Sequence, residues 1–230
     1  MYGRGAIYGV LGMMICVCGG CGNGCGGNGS DEVTREEMRE REEDFGEEEF
    51  REEEFRDGDL VLRCGNGLES VAVTLGSKSE YSHIGILLYD SKEGVWHVIH
   101  AVPKEVPDGS PEYIKNEPIG EFYSPERAIK GAWLRIKCPD ETARRAALYC
   151  LQKYEEHVTF DNDYLLQDTT QMYCSELIWQ AYLHQGIDVS DGVRHYIPRI
   201  ISGEGKCIYP NDIENGSNTL YVKHLKTKTL

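Results

Sequence analysis

The run Met172-Tyr173-Cys174-Ser175-Glu176-Leu177-Ile178-Trp179-Gln180-Ala181-Tyr182 is the narrowest constraint on how this chain can fold. Its apolar residues Leu177, Ile178, Ala181 and Tyr182 recur at helical spacing, which predicts an amphipathic helix with one face turned to a core. Cys174 falls where that helix begins. A thiol at a helix start feels the positive end of the helix dipole and nearby unpaired backbone N–H groups, and both favour the thiolate. With a base beside it such a thiolate is a nucleophile. A buried apolar cysteine explains the same residue when it is taken alone, so the reading depends on a partner.

The partner lies far upstream. Tyr81-Ser82-His83-Ile84-Gly85-Ile86-Leu87-Leu88-Tyr89 is strand-like and carries His83, the candidate general base. Gly85 is two residues on and shares a face with His83, leaving space beside the imidazole. After a turn at 90–94, Gly94 to Val102 forms the next strand, and the two are expected to pair as an antiparallel hairpin. His100 ends this second strand and can lie next to His83. A catalytic imidazole needs a polar neighbour to hold its tautomer and orientation, and His100 is the candidate. His97 points to the opposite face and is the weaker one.

The chain has 230 residues, 40% of them hydrophobic, which suffices for one well-buried domain with tails. Its net charge of −15 argues against nucleic acid as a partner, because a phosphate backbone would be repelled. Most of that charge belongs to residues 31–59. Of nine cysteines, Cys16, Cys18, Cys21 and Cys25 sit near the N-terminus. Cys64, Cys138, Cys150, Cys174 and Cys207 remain, with no close C-x-x-C pair, so neither a disulfide framework nor a structural zinc site is indicated. The histidines lack metal-ligand spacing, no cofactor motif is found, and no metal site is expected.

Residues 1–30 read as an address. Arg4 precedes an apolar stretch from Ala6 to Val17, too short to span a bilayer, and Cys18-Gly19-Gly20-Cys21 follows. Small residues before a cysteine are similar to a bacterial lipobox, which makes Cys21 the candidate for lipidation and leaves the glycine-rich run as a tether. The competing reading is a metal cluster of Cys16, Cys18, Cys21 and Cys25. Residues 31–56 are Glu/Arg-rich and are expected to form a solvated, partly helical stalk, with the folded domain over 57–230.

Within that domain Gly58 to Arg63 and Gly131 to Lys137 are predicted strands, and Gly67 to Gly76 a short helix. Thr142 to Tyr154 is a longer helix, for which Asp140 is the expected N-cap. Residues 103–130 and 159–171 are expected to be irregular, and a last strand lies near Leu220 to Lys223.

Asp59-Leu60-Val61, Tyr81-Ser82-His83-Ile84-Gly85-Ile86, Val98-Ile99-His100-Ala101 and Tyr173-Cys174-Ser175-Glu176-Leu177 come in an order that resembles the circularly permuted NlpC-type cysteine hydrolases, the YiiX/YebB/YaeF-like group in particular. The resemblance spans roughly Asp57 to Tyr221. It implies an α+β, permuted papain-like domain with an antiparallel sheet packed against the nucleophile helix. It also implies Cys174 as nucleophile, His83 as general base and His100 as the third polar residue, where the group often has glutamate. Tyr81 and Tyr173 are candidate oxyanion donors. The implied activity is acyl transfer to water from an amide or ester, on peptidoglycan peptides or acyl lipids, by a lipid-anchored protein of the bacterial cell envelope. Two alternatives stand beside it: an acyltransferase resembling the lecithin:retinol group, and a non-catalytic binding lipoprotein that kept the fold.

Overall fold

The structure is a computed structural model that describes residues 54–65, 70, 73, 74, 77, 79–103, 105, 109–164, 166, 170–199 and 203–226. The expected address with Cys21, almost all of the stalk, and most of the helix expected at 67–76 lie outside the described residues. What is described belongs to the compact unit 47–230.

Six strands form one antiparallel sheet: β1 (Leu60–Cys64), β2 (His83–Asp90), β3 (Val95–His100), β4 (Lys115–Pro118), β5 (Lys130–Ile136) and β10 (Thr219–Lys226), in the order β10-β5-β1-β2-β3-β4. Around it stand α1 (Ile119–Phe122), α2 (Asp140–Glu155), α3 (Cys174–Leu183) and α4 (Pro210–Glu214). The short strands β6 (Thr159–Phe160) and β7 (Gln171–Met172) pair in parallel, and β8 (His195–Arg199) with β9 (Gly203–Cys207) makes a separate hairpin.

Consecutive apolar residues in β1 are explained by a sheet covered on both faces. Leu60 and Leu62 join Ile84, Ile86, Ile99 and Leu134 in a core with Ala146 and Ala147 of α2 and Leu177 and Ile178 of α3. Val61 points the other way, into a smaller core with Leu87, Val98, Trp133, Phe122 and Phe55. By alternation His83 and Gly85 share this second face with Leu87, as the sequence predicts. The fold is α+β, with the expected hairpin formed in the register Ile86 opposite Ile99.

Three expectations change. Phe55 is buried between Trp96 and Trp133, at ring separations of 5.8 and 5.1 Å, so the packed domain begins before residue 57. Asp140 is the first helical residue rather than the cap, which is Pro139, and its carboxylate pairs with Arg56. Residues 103–130 are not irregular throughout, because Lys115–Pro118 adds a sixth strand against β3 and α1 follows directly. Among the described residues no helix is long and apolar enough to cross a membrane.

A second motif residue is structural. Asp59 is fully buried and accepts bonds from Arg135 Nε and Nη2 at 2.9 and 2.6 Å and from the Arg56 N–H at 3.1 Å. Those partners compensate the desolvation of a buried carboxylate.

Candidate active site

Cys174 opens α3, as expected, with Tyr173 in the extended cap position before it. His83 is the first residue of β2. The helix arrives from one face of the sheet and the imidazole from the other, and both line a single cavity of ≈240 Å³ at the end of the sheet. Val73, Val102, Pro103, Phe160 and Tyr164 give it apolar walls, and Arg63, Glu105, Glu126 and Arg127 supply charge. Drug-sized ligands occupy pockets of roughly 300 Å³ or more. This cavity therefore suits the reacting end of a substrate rather than a whole one.

The sulfur contacts Ser175 Oγ at 3.8 Å. Burial raises the Cys174 thiol above its ordinary value; the Ser175 hydroxyl and the backbone N–H groups of Ile84, Ser175 and Cys174 pull the other way and do not prevail. This corrects the expectation of a resting thiolate. The helix-start effect is present, but desolvation is larger, and the ground state is a neutral thiol.

His83 is neutral too. Burial, then the positive charge of Arg63, then His100 and Lys115, hold it well below the ordinary imidazole value. Its Nε2 lies 2.7 Å from His100 Nδ1, so His100 does stand beside it as predicted. Nδ1 of His83 is left as the nitrogen that can serve the cavity. Gly85 is what lets the strands close here: a Cβ would collide with Val98 Cγ1 and lie 3.2 Å from His100 Cβ. The open space expected beside the imidazole is not there, because the neighbouring strand packs directly against Gly85.

Behind His100 is a residue that the sequence did not single out. Glu117 Oε1 lies 3.0 Å from His100 Nε2. Glu117 is diagonal to His100 on the same face, since its register partner on β3 is Val98. Arg127 Nη1 donates to both Glu117 oxygens, at 3.0 and 2.9 Å. Lys115 Nζ is 3.8 Å from Glu117 and 2.9 Å from Glu105, which also pairs with Arg63. Alternating charge in a Pro-rich segment reads as loop, so no sequence signal pointed to Glu117.

The tyrosines are placed elsewhere. Tyr81 Oη donates to the Gly131 carbonyl at 3.3 Å, and Tyr173 Oη accepts the Ile208 N–H at 2.9 Å. Both rings are buried and neither lines the cavity, so the structure does not offer them as oxyanion donors. The backbone N–H groups around the sulfur are the donors nearest the reacting atom. Glu176 is wholly buried in the first turn of α3.

Among the described residues Asp90, Glu93 and His97 bring ligand-type atoms within 4.8 Å of one another at the β2–β3 turn. Asp90 already accepts the Lys92 and Glu93 N–H groups at 2.7 and 3.2 Å, and the His97 ring nitrogens face Asn116 and Glu93 at 3.1 Å each. None of the three lines the cavity. A more open recess of ≈340 Å³ lies over Arg145, Leu148, Tyr149, Gln152, His184 and Gln185, away from the cysteine.

A helix that opens on a cysteine and follows a histidine-bearing strand, on an antiparallel sheet, defines the class: a papain-like domain in permuted order. The comparisons agree. The family model for permuted papain-like amidases, YaeF/YiiX, C92 family, matches residues 54–196, and the chain belongs to that family, one of cysteine hydrolases. It is 24% identical over 125 residues to the uncharacterized protein YiiX of Escherichia coli K12, spanning about half of that relative, 56% of its length. The crystal structure of metalloprotein yiiX from Escherichia coli O157:H7 superposes with a TM-score of 0.59 at 17% identity, over 75% of this chain and 97% of that one, and shares its fold.

Proposed function

We propose that this protein is a cell-envelope thiol hydrolase that opens an amide or ester bond through an acyl-enzyme on Cys174, with peptidoglycan peptides or acyl lipids as substrates. The observation that carries the reading is one cavity shared by the sulfur that starts α3 and an imidazole whose far nitrogen is already held by His100.

Both groups start neutral, so attack and proton transfer are coupled. Sγ adds to the substrate carbonyl carbon as its proton passes to His83 Nδ1. The N–H groups of Ile84, Cys174 and Ser175 surround the sulfur and are the donors available for the charge that develops beside it. His83 returns the proton to the leaving nitrogen or oxygen, and the C–N or C–O bond breaks to leave a thioester. Water then adds to the thioester while His83 takes its proton. Collapse releases the acid, and the proton goes back to sulfur. A lipid-bearing Cys21 would hold the domain at a membrane surface, which suits both substrate classes.

The test is mass spectrometry of the intact protein after exposure to muropeptides and, separately, to phospholipid. An acyl adduct on Cys174 with released amine or alcohol supports hydrolysis. An alkylatable Cys174 that traps neither would refute it and favour the binding lipoprotein. The paired histidines 2.7 Å apart favour one second reading, an acyltransferase, which the same experiment detects as transfer from phospholipid to an added amine instead of to water. A Cys21→Ser protein that still partitions into membranes would remove the anchor from the account.

A further inference from the structure

We propose that Glu117 is a positioning residue whose carboxylate, acting through His100, fixes both imidazoles in the tautomer that leaves His83 Nδ1 unprotonated toward Cys174. This rests on the reading of His83 as the base for Cys174.

The geometry is a chain of three side chains on three adjacent strands. His83 Nε2 is 2.7 Å from His100 Nδ1, and His100 Nε2 is 3.0 Å from Glu117 Oε1. Each neutral imidazole carries one proton, so the chain of bonds can run in two directions. In the first, His100 Nε2–H donates to Glu117, His83 Nε2–H donates to His100 Nδ1, and His83 Nδ1 keeps its lone pair. In the second, His100 Nδ1–H donates to His83, the His83 proton moves to Nδ1, and a lone pair on His100 Nε2 faces the carboxylate. Only the first leaves a base for the thiol.

Glu117 decides between them because an ionised carboxylate only accepts. Burial opposes its ionisation. The His100 hydrogen bond and charge, Lys115 and Arg127 outweigh it and hold the carboxyl down at about 2. The groups facing the imidazole pair are Arg63 on β1, Lys115 and Glu117 on β4, Glu105 between β3 and β4 in sequence, and Arg127 after α1. Their cations disfavour a proton on either ring, and the carboxylate sets where the neutral ring keeps its one proton. An amide in place of that carboxylate would do the reverse. Arg127 Nη1 reaches both oxygen positions and ranks neither, but Lys115 Nζ, a donor only, lies 3.8 Å from Glu117 Oε2 and draws the amide oxygen to that side, so the NH₂ group would face His100 Nε2. That nitrogen would then have to accept.

The experiment is ¹⁵N-imidazole NMR on the wild-type and Glu117→Gln proteins, paired with steady-state kinetics. In the wild type, His83 Nε2 should be the protonated nitrogen and Nδ1 the pyridine-like one; the opposite assignment overturns the proposal without any variant having to fold. In E117Q the two assignments should exchange, with kcat falling by roughly 10²–10⁴-fold, as for a triad in the wrong tautomer, and KM unchanged. An E117Q protein with the wild-type ring assignment, or with wild-type kcat, overturns it. The spectra need no substrate, so failure of the hydrolase reading shows in the acyl-trapping experiment alone.

Discussion

Cys174 and Cys207 stand in two settings built from the same kinds of residue. Cys207 is opposite His195 across the β8–β9 hairpin, and His195 Nε2 faces both Asp212 oxygens at 2.9 Å. A cysteine, a histidine, a carboxylate and a tyrosine ring 4.8 Å from the imidazole are all present. Yet Cys207 belongs to a strand, its thiol is pushed up to about 11 by burial with only the Tyr209 hydroxyl opposing, and it lines no part of the cavity. Cys174 has a helix start, three N–H groups around the sulfur and a wall of the cavity. What separates them is backbone direction and access, not inventory.

The largest expected effect is at Cys174, the nucleophile in the proposed reaction. Cys174→Ala should lower turnover by about 10³-fold or more, whereas Cys207→Ala should leave it unchanged. Equal losses in a muropeptide or ester assay would erase the distinction between the two sites. Removing the bases comes next: His83→Ala should cost roughly 10²–10⁴-fold in kcat, with His195→Ala silent. Turnover by His83→Ala at the wild-type rate would take the base role away from it.

Reactivity against pH sharpens the same contrast. Because Cys174 titrates above its ordinary value, its iodoacetamide rate should keep rising through pH 9 rather than level off near 7, while Cys207 stays unlabelled in the folded protein. A plateau between pH 6 and 8 would mean a resting thiolate. Stability should follow the histidines. His83 and His100 have folded values below the ordinary 6.5, so the unfolded chain binds protons more readily and stability falls as pH drops below that point. Glu117 adds a further loss between 4.5 and about 2. Urea midpoints that stay flat from pH 7 to 5 would contradict the first window.

The smallest effect tests the strand contact. Gly85→Ala should cost about 1–3 kcal/mol by overpacking against Val98 and the Ile99 carbonyl, 3.3 Å away, and should slow turnover by displacing His100. A fully stable, fully active variant would show that the hairpin yields without moving the ring.

Much of the frame was legible. Alternation predicted β2 and β3, their hairpin and the shared face of His83 and Gly85, and 3.6-residue spacing predicted α2 and α3. The failures share one cause. Lys115–Pro118 has the composition of a loop, and only pairing with β3 makes it a strand. Phe55 ends a charged run that looks solvated, but Trp96 and Trp133, both far along the chain, pack against it in the second core. Tyr81 and Tyr173 flank the reactive pair in sequence, but neighbouring residues on a strand or at a helix cap point in different directions, and their hydroxyls went to Gly131 and Ile208.

The order of local elements and the residue at the start of α3 were properties of the chain itself, because helical and extended periodicity depend on neighbours a few positions away. Which histidine meets which carboxylate, whether the thiol rests neutral, and which of two similar cysteines faces a cavity were decided by tertiary structure. Those are matters of desolvation and of which distant residues come to share a cavity, His83 and Cys174 being 91 positions apart, and no local pattern encodes them.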